Sequence, residues 1–304
     1  MGNKPATDHD WTIHSINIHG IFFERWCQKT IEDTHIWKIK STNYPVEYPP
    51  PNGPIRGRES TLDIRAELQQ NDLRLTLLIE CKKNNPEFVN WIFFPKRTQP
   101  TGRPVVLSQI ENTVREAPHT GWTSQIALNW ADTSLIVADE ARETRGSYTQ
   151  HHQRSDKTKT SNAAIIDAAH QVALAHQAIV AEESKFSNAL GFNGTPHPMP
   201  WKKQVFMPTI VTSAHIFTCD FDTSYVDPKT GEIPLERAAL AEQAYLFLEY
   251  PLPRHLQTSP ANLIDALSSD SIELFTRLHI IVVHSENLAT VLRDLAGGIQ
   301  KVFR

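Results

Sequence analysis

Two strand-like runs separated by a four-residue polar gap constrain this chain more than any other feature. Glu59 to Leu68 alternates apolar with polar residues, and Leu73 to Cys81 is mostly apolar. The intervening QQND, Gln69 to Asp72, is polar and turn-like. Period-two alternation on both sides of a tight connection predicts an antiparallel pair. The second run ends in charge: LTLLI is followed directly by Glu80, Cys81 and Lys82. On a strand Glu80 and Lys82 fall on one face, with Leu77, Ile79 and Cys81 on the other. Asp63 lies in the first run, with Leu62 and Ile64 on its opposite face.

If the two strands pair, an acid from each can approach the other. A Mg²⁺ ion takes an octahedral oxygen shell built from one or two carboxylates, several waters and substrate phosphate. Asp63 and Glu80 would supply the carboxylates, and the backbone carbonyl of Cys81 a third oxygen. Lys82 would hold or deprotonate the attacking water, or stabilise negative charge developing on phosphorus. Acid-x-Lys occurs three times: Glu80-Cys81-Lys82, Glu183-Ser184-Lys185 and Asp227-Pro228-Lys229. The second falls near the end of an expected helix and the third in a Pro-Gly turn. Only the first ends an apolar strand with an acid on the preceding one. The competing reading is a solvated strand end.

The rest of the chain is expected to be mixed α/β or α+β. Residues 10 to 33 predict one helix with Ile13, Ile16, Gly20, Phe23, Cys27 and Ile31 on an apolar arc, Asp10 as its cap and Glu24 at the arc's edge. His35 to Lys40 and Phe88 to Phe94 are strand-like, and Tyr44 to Pro54 reads as a proline-rich loop that cannot be a central strand. Ser108 to Glu116 is expected as a short helix, while Trp122 to Asp132 is ambiguous. Ala163 to Ala189 reads as a long helix capped by Ser161 or Asn162. Strand-like runs follow at Val205–Thr212, His215–Phe221, Ala244–Tyr250 and Leu278–His284. A turn is expected over Tyr225–Pro234, and a closing helix from Ser285 to Gly297. The organisation expected is a core over 1–135 and, over 136–304, a helical segment with further strands packing on it or forming one continuous domain with it.

The pattern Asp63, sixteen residues, Glu80-Cys81-Lys82 resembles the PD-(D/E)XK restriction-endonuclease-like superfamily over residues 10 to 135. Leu62 stands where the motif's proline would be. The resemblance implies a core of helix, three strands, helix and strand, in a central mixed sheet flanked by helices. It implies Mg²⁺-dependent (or Mn²⁺-dependent) hydrolysis of phosphodiesters, usually in DNA, in restriction, repair or defence. It also implies a glutamate from the first helix, a role Glu24 fits. Some relatives keep a functional glutamine in a helix after the third strand, and Gln109 is the candidate. Two other readings share the fold: a nucleic-acid-binding or scaffold protein without catalysis, and an effector nuclease activated by a partner protein. Double-strand cutting would favour a homodimer.

Nucleic-acid contact would come from local patches, because the 304-residue chain has a net charge of −4. Arg56 and Arg58 precede the Asp63 strand, Lys83 follows the motif, and Lys157 and Lys159 open onto a helix N-terminus. Cys27, Cys81 and Cys219 fit neither zinc spacing nor a disulfide framework, so a reducing, cytoplasmic compartment is expected. The polar N-terminus is unlike a signal peptide, and no apolar run is long enough to span a bilayer, so no membrane association is expected.

Overall fold

The computed structural model describes residues 8–18, 20–48, 58–84, 88–96, 105–114, 121–130, 135–144, 162–192, 202–257 and 276–302. The molecule is mixed α/β, built on a large mixed sheet with helices on both faces. Helices α1 (Asp8–Ile18) and α2 (Ile21–Asp33) precede a meander of β1 (Lys38–Tyr48), β2 (Arg58–Gln70) and β3 (Leu73–Lys82). Then come β4 (Asn90–Pro95), β5 (Val105–Val114), β6 (Gly121–Trp130) and β7 (Val137–Thr144). Helix α3 (Ala163–Phe192) leads into β8 (Lys203–Thr212), and β9 (His215–Phe221), β10 (Ala238–Glu242), β11 (Tyr245–Pro251) and β12 (Arg277–His284) follow. Helix α4 (Leu288–Val302) closes the chain.

The sheet order is β1-β2-β3-β8-β12-β11-β7-β4-β9-β10, with β5 joined to β8 and to β6. β1, β2 and β3 pair antiparallel, whereas β8 runs parallel to β3 over Leu73–Lys82. A parallel neighbour needs a crossover, and α3 lies in it. One face carries α3, where Val172, Leu174 and Ile179 meet Leu78, Phe206, Ile210 and Val282. The other carries α2 and α4, where Cys27, Ile31, Leu292 and Leu295 meet Leu77, Ile79, Cys81 and Val211. Burial on both faces explains why β3 and β8 read as nearly continuous apolar runs. Trp37 Nε1–H donates to the Leu292 carbonyl at 3.1 Å and pins α4 beside the start of β1. One sheet thus runs through both 1–135 and 136–304.

Several local expectations change. The helix expected over 10–33 breaks at Gly20, which adopts φ +80°, a left-handed conformation that glycine takes without strain. Asp10 therefore lies inside α1 rather than capping it, and Trp11 and Ile13 stay exposed. β1 extends through Pro45 to Tyr48; this is tolerated because β1 is an edge strand. Ser108 to Val114 belongs to strand β5 rather than a helix, since β6 and β8 both hydrogen-bond to it. β4 pairs with β7 and β9, away from the hairpin. The final helix runs on through Gly297 to Val302. Burial of Val291, Leu292, Leu295 and Ala296 outweighs the roughly 1 kcal/mol that a helical glycine costs. Among the described residues, no helix is long and apolar enough to cross a membrane.

Candidate active site

The expected hairpin is present. Two residues, Asn71 and Asp72, connect β2 to β3, and Asn71 takes the left-handed conformation (φ 50°) that asparagine tolerates. Register runs from Gln70↔Leu73 to Ile64↔Ile79 and ends there, one residue short of both Asp63 and Glu80. Asp63 Oδ2 accepts the Cys81 backbone N–H at 2.7 Å. Lys82 Nζ is 2.8 Å from Glu80 Oε1. Alternation accounts for Glu80 and Lys82 but not for Asp63. Leu62 packs in the core beneath α3 and Ile64 in the core beneath α2 and α4, so the two do not share the face expected of them. Asp63 is placed where ladder pairing ends, by its bond to the Cys81 N–H.

Glu24 joins them from α2. It lies in the first turn after the Gly20 break, and its N–H donates to the Gly20 carbonyl at 3.1 Å. Its negative charge raises the proton affinity of both Asp63 and Glu80. The helix is held there by its buried face, where Cys27 and Ile31 pack in the core together with Cys81. Cys81 is therefore a packing residue through its side chain.

The electrostatics of the site are those of crowded carboxylates. Glu80 is only 3 % exposed. Burial pushes its carboxyl up to about 7, Asp63 and Glu24 add to the rise, and Lys82 opposes it. Burial also raises Asp63 to about 6, with Glu24 adding and the Cys81 N–H bond and Lys82 opposing. Glu80 Oε2 is buried with no hydrogen-bond partner among the described residues. An orphaned carboxylate oxygen beside two further acids fits a hard divalent cation that prefers oxygen ligands. No three His, Cys, Asp or Glu side chains among the described residues form a preformed cation cage. A Mg²⁺ ion bound through one or two carboxylates, with water and phosphate completing its shell, needs none.

Gln171 was not singled out in the sequence. It projects from α3, and its Oε1 accepts from Lys82 Nζ at 2.6 Å, so the ammonium is shared between Glu80 and this carboxamide. The only local signal was a glutamine within an alanine-rich run. Gln109, the glutamine expected to act, is buried in β5 opposite Val205, which packs on the α2 and α4 side of the sheet. Lys83 is exposed, and its Nζ donates to Asn17 O and Oδ1, both at 2.8 Å. Arg58 opens β2 opposite Tyr48. Arg56, Lys157 and Lys159 lie outside the described residues.

Two carboxylates define the position of α3 above the site. Glu143 Oε1 on β7 accepts the N–H groups of Ala164 and Ile165, at 2.8 and 3.2 Å, while Asn162, one of the expected caps, precedes the helix and accepts the Ile166 N–H on its carbonyl at 2.9 Å. Ser161, the other expected cap, is outside the described residues. In the second half of the helix Glu183 pairs with Arg65 and Arg74, and both arginines also pair with buried Glu67.

No family model matches this chain, and neither a curated protein nor a solved structure is significantly similar to it.

Proposed function

We propose that this chain is a metal-dependent nuclease that hydrolyses phosphodiester bonds, with DNA as the substrate class that the PD-(D/E)XK resemblance implies. The observation that carries the reading is the convergence of Glu24, Asp63, Glu80 and Lys82 at one end of the β2–β3 hairpin. Helix α2 and strands β1 to β3 follow in the order that the resemblance implies; the helix and strand that would complete it, α3 and the β8 that runs parallel to β3, come only after four further strands and beyond residues 10–135.

Asp63, Glu80 and the Cys81 carbonyl would hold the Mg²⁺, with Glu24 directly or through water. Bound there, the ion supplies Lewis-acid polarisation of a phosphoryl oxygen and a more acidic water. The chain's own residues do the rest. Buried Glu80 and half-buried Asp63 gather the cation because, with Glu24 beside them, Lys82 alone does not offset their charges. Lys82, fixed between Glu80 and Gln171, sets a positive charge beside the reacting phosphate, where it stabilises the charge of the transition state. The Gln171 contact favours this electrostatic role for Lys82 over that of a base.

The test is nicking of plasmid DNA by the purified protein in Mg²⁺, with and without EDTA, and by Asp63→Ala, Glu80→Ala and Lys82→Ala. Each substitution is expected to abolish cleavage without unfolding the protein. Full activity in any one of them contradicts the assignment.

A further inference from the structure

The three parallel strands β3, β8 and β12 finish side by side. Lys82 lies opposite Thr212, and Thr212 opposite His284. Alternation along each strand puts Lys82, Thr212 and His284 on the face where Leu78, Ile210 and Val282 pack beneath α3. Glu80 lies on the same face. Two strand spacings separate Lys82 from His284, about 10 Å between Cα atoms.

This edge is a rigid ledge. The Ser213 N–H donates to the Lys82 carbonyl at 3.3 Å, and the Asn84 N–H donates to Ser213 Oγ at 2.9 Å. Ser213 Oγ in turn donates to Asn84 Oδ1 at 2.7 Å, and the Ala214 N–H donates to Thr212 Oγ1 at 3.1 Å. At the far end of the ledge His284 is buried, and the His215 ring stacks on it with centroids 5.3 Å apart and planes 13° apart. The His215 side chain is 52 % exposed, and its Nδ1 is 3.3 Å from Glu242 Oε1. That contact orients the ring; with its Nδ1–H given to the carboxylate, the ring donates from Nε2 to a phosphate oxygen in its doubly protonated form.

Ligands of open α/β sheets bind outside the carboxyl ends of parallel strands, where this ledge lies. A duplex strand carries one phosphate per roughly 3.4 Å of axis, so a ledge of about 10 Å reaches past the scissile phosphate to its neighbours. We infer that His215, oriented by Glu242 and by the stacked His284, binds a phosphate flanking the scissile one on the same polynucleotide strand. His215 is the contacting residue, and His284 and Glu242 are positioning residues. The inference rests on the nuclease reading.

A methylphosphonate walk tests it. In a DNA oligonucleotide whose cleavage position has been mapped with the wild-type protein and Mg²⁺, each flanking linkage is made neutral in turn. One flanking position is expected to slow the wild type roughly tenfold, the value of one charge-assisted hydrogen bond. His215→Ala is expected to be about tenfold slower on the unmodified oligonucleotide and indifferent to that replacement. His215→Gln, which keeps a donor, should recover part of the loss, and His284→Leu should lose the same discrimination. The inference is overturned if His215→Ala cleaves the unmodified oligonucleotide at the wild-type rate, or if the replacement slows variant and wild type equally. If the wild type does not cleave, the nuclease reading fails on its own. Fluorescence anisotropy with the same oligonucleotides then makes the same comparison on affinity, and absent or equal binding overturns the ledge as well.

Discussion

At the scale of single residues, the site carboxyls and a buried histidine pull the pH dependence of stability in opposite directions. Glu80 titrates near 7 and Asp63 near 6 in the folded chain, above their ordinary values. A carboxyl that binds its proton more tightly when folded favours the fold at low pH and opposes it once pH exceeds the folded value. The metal-free protein should therefore lose stability as pH rises from about 4.5 through about 7, by on the order of 3 kcal/mol from Glu80. Glu80→Gln should remove most of that loss. Thermal melts in EDTA at pH 5 and pH 8 check this, and equal melting-point changes in both proteins would contradict it. His176 acts the other way. It is 1 % exposed, burial holds it down to about 3, and neither ring nitrogen has a hydrogen-bond partner among the described residues. It must be buried neutral, so its contribution is intact above about 6.5 and is lost as pH falls toward about 3. His176→Leu removes two unsatisfied polar atoms beside Phe206. It should raise stability by about 1–3 kcal/mol and flatten the acid limb, as urea titrations at pH 4 and pH 7 would show.

At the scale of elements, α3 is the part whose position decides whether the site works. Its first turn is bonded to Glu143 and its second half is held through Glu183, with Gln171 between them against Lys82. On the proposed nuclease reading, Gln171→Ala should slow cleavage by roughly ten- to a hundredfold, as loss of a supporting hydrogen bond does in metal sites, with an unchanged melting temperature. An equally large fall in stability would mean that Gln171 is structural only. Beneath the same helix, Glu67 is nearly buried among Arg65 at 2.8 Å, Lys40 at 3.4 Å and Arg74 at 3.8 Å. Glu67→Ala leaves Arg65 and Arg74 to share Glu183 alone and should cost about 1–3 kcal/mol in a denaturant titration. Elements whose signals were local were legible: the β2–β3 hairpin, the long helix α3 and strands β8, β9, β11 and β12 all appear near their expected places. Those decided by neighbours were not. β5 has a polar spacing compatible with a helix, and only its pairing with β6 and β8 makes it a strand.

At the scale of the molecule, the site depends on residues far apart in the chain. β3 carries Glu80 and Lys82, but its second edge is covered by β8, which begins 121 residues after Lys82. A fragment ending at residue 135 would expose that edge and the apolar faces of Leu77, Leu78 and Ile79. It should aggregate rather than fold, because an unpaired, apolar central strand is a template for association. Size-exclusion chromatography and circular dichroism of the fragment check this, and a monomeric, folded fragment would contradict it.

The sequence by itself determined the hairpin and the order of charges along it. Both follow from side-chain alternation and a tight turn, and neither needs a distant partner. Glu80 and Lys82 were legible for that reason; Asp63 owes its place to the bond with the Cys81 N–H. Tertiary structure alone decided which strand covers β3, that Gln171 rather than Gln109 reaches Lys82, that Glu143 bonds to the first turn of α3 and that His284 lines up with Lys82. Gln171 is 89 residues from Lys82, and Glu143 is 21 from Ala164. At such separations local periodicity carries no information about contact, and the pairing is set by which apolar faces the whole sheet can bury.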